Sequence, residues 1–241
     1  MIPFSYFFFH HPDKPTGDAQ QYLQDFFWRV ALGGHYSHSL ESRLGQDIRR
    51  IDKILRGELP SYDYPVDVSP AFVRQNGWFS TGRSYVKAIL CLLAYHEPKS
   101  FIDHSTVKIS NDWLKQANSK NYHHFFPVAY LLKQNRDYAD INHIGNITIV
   151  DDFLNKREIS DKRPSVYMRQ FARKNSELEK TMNTHLIKLD SFGVWNDDYD
   201  TFLEKRCKAI SRELHKRVIP QKTDDVGQKL TTDDYDVEAE A

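Results

Sequence analysis

The sequence predicts a mainly α-helical protein whose helical body encloses one short strand–loop–strand–helix segment. Three observations carry this expectation. Apolar residues recur at helical spacing over most of the chain. The period changes between about residues 106 and 160, where two strand-like pieces flank a loop rich in Asn and Asp. Helical spacing then resumes after Pro164, a residue suited to the first turn of a helix.

The elements follow in order. Met1-Ile-Pro-Phe-Ser-Tyr-Phe-Phe-Phe has no basic flank, contains Pro3 and is closed by His10, His11 and Asp13. It therefore reads as a packed helix or strand rather than a signal peptide, and it is too short to span a bilayer. Asp18 is placed to cap a helix through Tyr22, Leu23, Phe26, Phe27, Trp28, Val30 and Leu32, closed by Gly33-Gly34. A second helix starts near Ser39 and carries Leu40, Leu44, Ile48, Ile51 and Leu55 on one face. Residues 58–81, broken by Pro60, Pro65, Pro70 and Gly77, read as loops with a short helix near Ala71–Gln75. Gly82 to His96 reads as a buried helix ended by Pro98. Three further helices are expected at Ser165–Arg173, Glu177–Leu189 and Asp197–Val218. Residues 222–241 hold seven acidic residues against two lysines and read as a disordered tail. The expected organisation is a helical domain at 1–105, a strand-containing core at 106–160, helices packing on it at 161–218 and an acidic disordered tail at 219–241. No internal repeat is visible.

Composition narrows the function classes. Basic and acidic residues number 33 each, so the formal charge is zero, and affinity for nucleic acid has to come from a local patch. Cys91 and Cys207 stand far apart and form no C-x-x-C pair, which argues against a zinc ribbon and against a secreted disulfide scaffold. The cytoplasm is the default compartment, and no membrane partner is expected.

One constellation carries chemistry. His123 and His124 end an apolar-aromatic run, Asn146 follows 22 residues after His124, and Asn155 lies nine residues beyond that. Hydrolysis of a phosphodiester needs an activated water, a Lewis acid on the phosphate and cover for charge on the leaving oxygen. A neutral imidazole can take the water's proton near neutral pH. An Asn opening the second strand can tie the intervening loop with its side-chain amide, and an Asn on the following helix can offer a carbonyl oxygen to a cation. Lys156 and Arg157, beside Asn155, are candidates for neutralising transition-state charge. From Phe153 to Lys180 eight basic residues face four acidic ones, a net +4 suited to holding a phosphate backbone. His10-His11 lacks the following Asn residues and reads as surface or packing. Asn142 and His143 read as turn residues, and Asp140 and Asp151 as caps.

His123-His124-x-x-Pro127, Asn146-Ile-Thr-Ile-Val and Asn155-Lys156 resemble the ββα-metal, or HNH, nuclease motif. Carried over by position, the resemblance makes His123 a metal ligand, His124 the general base, Asn146 the loop-holding amide and Asn155 the second ligand. Many members place Asp where His123 stands, and imidazole suits softer transition ions better than hard Mg²⁺. The implied cofactor is one divalent ion, Mg²⁺ or Mn²⁺, with a softer ion as the alternative. Further segments extend the similarity: Phe27-Trp28-Arg29, Tyr36-Ser37, Asp47-Ile48, Ile159-Ser160-Asp161-Lys162-Arg163-Pro164-Ser165-x-Tyr167, Thr184-His185-Leu186-Ile187 and Asp197-Asp198-Tyr199-x-x-Phe202-Leu203-x-x-Arg206. Together, over roughly residues 1–218, they resemble the C-terminal half of GmrSD-type modification-dependent (type IV) restriction endonucleases and related phage-defence proteins. The resemblance implies a mainly α fold with an embedded ββα-metal nuclease motif, DNA as substrate, and a ParB-like nucleotide-handling domain or subunit outside this chain as partner. A non-catalytic DNA- or partner-binding module with a vestigial site is the rival expectation, and an RNA-directed nuclease a third.

Overall fold

The computed structural model describes residues 2–37, 39–109, 122–150 and 159–226. The fold is mainly helical with a single two-stranded sheet among the described residues. The chain divides into two units: residues 1–67 together with 215–241, and residues 68–214. This division differs from the sequential one expected from the sequence, because the C-terminal segment belongs with the N-terminal helices.

In the first unit, α1 (Ile2–His10), α2 (Gly17–Leu32) and α3 (Leu40–Leu55) pack on one another. Phe7, Leu23, Phe26, Ile51, Ile54 and Tyr62 form their shared core. The aromatic N-terminal run is therefore a helix, with Phe7 buried and Phe9 facing out. On α3 the apolar stripe expected from sequence is only partly covered. The residues it buries are Asp47, Arg50, Ile51 and Ile54. Asp47 accepts from Tyr36 Oη (2.5 Å) and Arg50 Nη1 (2.7 Å), and Arg50 also reaches Asp63.

A second buried charge ties the ends of this unit together. Arg29 on α2 is fully buried; it donates to Asp25 one turn earlier, to the Ile219 carbonyl, and in bidentate fashion to Asp224 at 2.9 and 2.6 Å. Its guanidinium also lies 4.7 Å from the centre of the Tyr62 ring. Burial holds the Asp25 carboxyl above its ordinary value despite Arg29. Burial alone would also raise Asp224, but Arg29 and the Val66 and Gln221 amides hold it below. Residues 219–226, expected in the tail, thus include a 3-10 turn at Lys222–Val226 that carries a partner of a buried arginine.

In the second unit, α4 (Pro70–Gln75) and α5 (Ser84–Tyr95) precede the strand β1 (Tyr122–His124). Two short helices, α6 (Val128–Lys133) and α7 (Tyr138–Ile141), occupy the connection that the sequence suggested to be a loop. β2 (Ile147–Ile149) follows, antiparallel to β1, in the register Tyr122↔Ile149, His123↔Thr148 and His124↔Ile147. Its β-branched residues suit a strand, and all three are buried. α8 (Pro164–Lys174) has Pro164 in its first turn, and α9 (Leu178–Thr184) and α10 (Tyr199–His215) complete the unit. Phe125 and Phe126, just past β1, sit in an aromatic core with Tyr167, Tyr199 and Phe202; the Phe125 and Phe202 rings stack at 4.8 Å. No helix of the described residues is long and apolar enough to cross a membrane.

Candidate functional site

The hairpin brings His123, His124 and Asn146 into one structural unit. Asn146 is fully buried immediately before β2. Its Oδ1 accepts from the Phe126 N–H (2.9 Å), and its Nδ2 donates to the Phe126 and Ile141 carbonyls (3.1 Å each). The Asn146 main-chain carbonyl accepts from Phe125 N–H at 2.7 Å. One side chain therefore satisfies three main-chain groups and closes the connection that leaves β1 and returns to β2.

His123 faces inward with 4 % exposure, and its Nδ1 is buried without a hydrogen-bond partner among the described residues. Burial, reinforced by neighbouring His124, pushes its pKa down to about 3. The ring is therefore neutral, the form in which imidazole binds a metal. His124, next along the strand, is only partly buried, and its Nε2 lies 3.2 Å from Asn142 Oδ1. Burial lowers its pKa and the Asn142 contact partly offsets that. Asn155, Lys156 and Arg157, the expected second ligand and charge-neutralising pair, lie outside the described residues, as does Asp151. Among the described residues no group of three or more His, Cys, Asp or Glu side chains is arranged to hold a metal.

His143 and Asn142, expected as turn residues, do more specific work. His143 is buried; its Nδ1 accepts from the Gly145 N–H (2.9 Å) and its Nε2 donates to the Arg74 carbonyl (3.0 Å). With both nitrogens committed to main chain, it is a structural pin. Asn142 joins His124 to Phe79, whose carbonyl accepts from Asn142 Nδ2 at 3.0 Å. Arg206, on α10, is fully buried and donates from Nη2 to the Ile147 carbonyl at 3.3 Å. Sequence signalled it only through its position on the apolar face of α10, beside Phe202 and Leu203.

Ser165, Asp197, Thr184 and His185 make structural hydrogen bonds within the second unit. The Asp197 carboxylate accepts from both the Ser165 amide and hydroxyl at the start of α8. His185 donates from Nε2 to the Lys99 carbonyl at 2.8 Å, and Thr184 Oγ1 accepts from the Lys99 amide. Several cations of the basic stretch are engaged as well: Arg163 with Asp197, Lys180 with Glu177, and Arg169 over the Trp195 ring. The exposed Lys180–Glu177 pair leaves its side chains free to exchange partners at little cost. No protein-family model matches this sequence, and no characterised protein or solved structure matches the chain.

Proposed function

We propose that the chain is a metal-dependent HNH-type endonuclease that hydrolyses DNA, the nuclease half of a GmrSD-like phage-defence restriction system. The reading rests chiefly on one arrangement: paired histidines on the first strand of a hairpin whose return is tied by the Asn146 amide. His124, partly exposed beside that closed loop, accepts a proton from the attacking water. Asn146 holds the hairpin so that the water and the imidazole keep one geometry. Lys156 and Arg157 offset charge on the phosphate.

A divalent cation suits the donor chemistry present, since the buried His123 ring is neutral and its Nδ1 lacks a partner among the described residues. His123 and Asn155 would hold it. When bound, it supplies Lewis acidity at the scissile phosphate and cover for the leaving oxygen.

Plasmid nicking with Mg²⁺, Mn²⁺ and EDTA, with and without a ParB-like subunit, tests the proposal. Cleavage is expected with metal and lost with EDTA. His124→Ala abolishes cleavage while leaving the fold and DNA binding near normal, and equal nicking by that variant refutes the assignment. Asn155→Ala raises the metal concentration needed for half-maximal activity. The near-complete burial of His123 favours the rival reading, a binding module with a vestigial site. DNA retention without metal-dependent nicking under any of these conditions selects it.

A further inference from the structure

We propose that Asn142 is a positioning residue that fixes the His124 ring in its Nε2–H tautomer and thereby presents Nδ1 as the proton-accepting nitrogen. The catalytic meaning of this inference rests on the nuclease reading above; the tautomer itself does not.

Asn142 follows α7 and is held on three sides: its N–H donates to the Tyr138 carbonyl (2.8 Å), its carbonyl accepts from the Phe79 N–H (2.8 Å), and its side chain meets the Phe79 carbonyl (3.0 Å). A carbonyl only accepts, so the end of the Asn142 amide facing Phe79 is the nitrogen. The other end, facing His124, is therefore the oxygen. That oxygen cannot donate either, so the 3.2 Å contact requires the proton on His124 Nε2. The opposite tautomer would set two lone pairs against each other at that distance. In the neutral ring Nδ1 is then left unprotonated, with a lone pair free to accept.

The strut is anchored as well as satisfied. Phe79 follows Trp78, which bridges to His143, and His143 is pinned to Gly145 and Arg74 through both ring nitrogens. The Asn142 oxygen thus occupies a fixed point on the framework, and the His124 ring takes both its tautomer and its rotation from it. The same logic governs histidines at metal sites, where the hydrogen bond made by one nitrogen decides what the other presents.

Long-range proton–nitrogen correlation spectra of ¹⁵N-histidine-labelled protein, recorded without added metal in mildly alkaline buffer, read the tautomer directly. The His124 signals are assigned by their loss in His124→Gln. In the wild type, Nε2 carries the pyrrole-like shift and Nδ1 the pyridine-like one. Asn142→Ala moves both toward averaged values. Nicking at saturating DNA and metal falls by about 10-fold to 100-fold in Asn142→Ala, by analogy with the loss when an outer partner of a metal-bound histidine is removed. A wild-type ring protonated on Nδ1, or a tautomer unchanged by Asn142→Ala, overturns the inference. Should Asn142→Ala fail to fold, the wild-type spectrum decides it alone. Absence of nicking in every protein, with the tautomer as stated, counts against the nuclease reading and leaves the Asn142 assignment standing.

Discussion

His143 and His185 are each only 2 % exposed and give Nε2 to a main-chain carbonyl. Burial pushes their pKa values down to about 4 and about 3. A histidine depressed in the folded state binds fewer protons there than in the unfolded chain, so stability is complete above the unfolded value near 6.5 and drains away as the pH falls toward the folded values. At about pH 5 the two together forfeit up to about 4 kcal/mol. The midpoint of urea unfolding should therefore drop between about pH 6.5 and pH 5; a flat profile contradicts the buried, neutral assignment. Gly77 supplies a second test beside His143. A Cβ there would fall 1.9 Å from His143 Nε2, a ring already fixed at both nitrogens. Gly77→Ala should cost about 3 kcal/mol in denaturant titrations, as overpacking against a side chain that cannot retreat. At this scale the adjacent histidines and Asn146 are legible because their types and spacing are local. The work of Asn142 and His143 is not, because their partners Phe79 and Arg74 lie some 60 to 70 residues away.

The hairpin shows what an element needs beyond its own strands. Among the described residues β1 and β2 share three residue pairs, too few to stand alone in water, and the Asn146 amide makes up part of the deficit. Asn146→Ala leaves the Phe126 amide and the Phe126 and Ile141 carbonyls without partners in a dry interior. We expect a loss of about 3 kcal/mol in urea unfolding, with hydrogen exchange at the Phe126 amide accelerated at least as much as at neighbouring sites. Unchanged exchange there would mean the amide ties nothing. β2 is readable from its β-branched Ile-Thr-Ile, and α8 from Pro164. α6 and α7 are not, since helices of six and four residues are shorter than the window in which periodicity speaks. α9 stops at Thr184, short of the expected Leu189, because Leu186 takes a left-handed backbone conformation with φ 55°.

For the molecule as a whole, the helical class is written plainly in the spacing of apolar residues, whereas the way the chain is divided is not. An acidic, apolar-poor C-terminal stretch looks like solvent-facing tail by composition, yet Asp224 answers Arg29 across 195 positions. No local pattern encodes a pairing of that range. Removing the carboxylate strands a buried guanidinium with only Asp25 and a carbonyl for company. Asp224→Ala should therefore destabilise the first unit by about 3–5 kcal/mol, measured by thermal or urea unfolding followed through the Trp28 environment. A change within error would show that the ion pair is incidental.

The bond between Arg29 and Asp224 also sets an order of events during synthesis. Domains generally fold as units while the ribosome is still translating. Here every residue of the second unit leaves the exit tunnel before Asp224 does, whereas α1, α2 and α3 emerge first and wait. The first unit, although its helices are made before the second unit, is thus completed after it. A message cut short before Asp224 would release a product in which the buried Arg29 guanidinium keeps Asp25 as its carboxylate partner but loses the bidentate one.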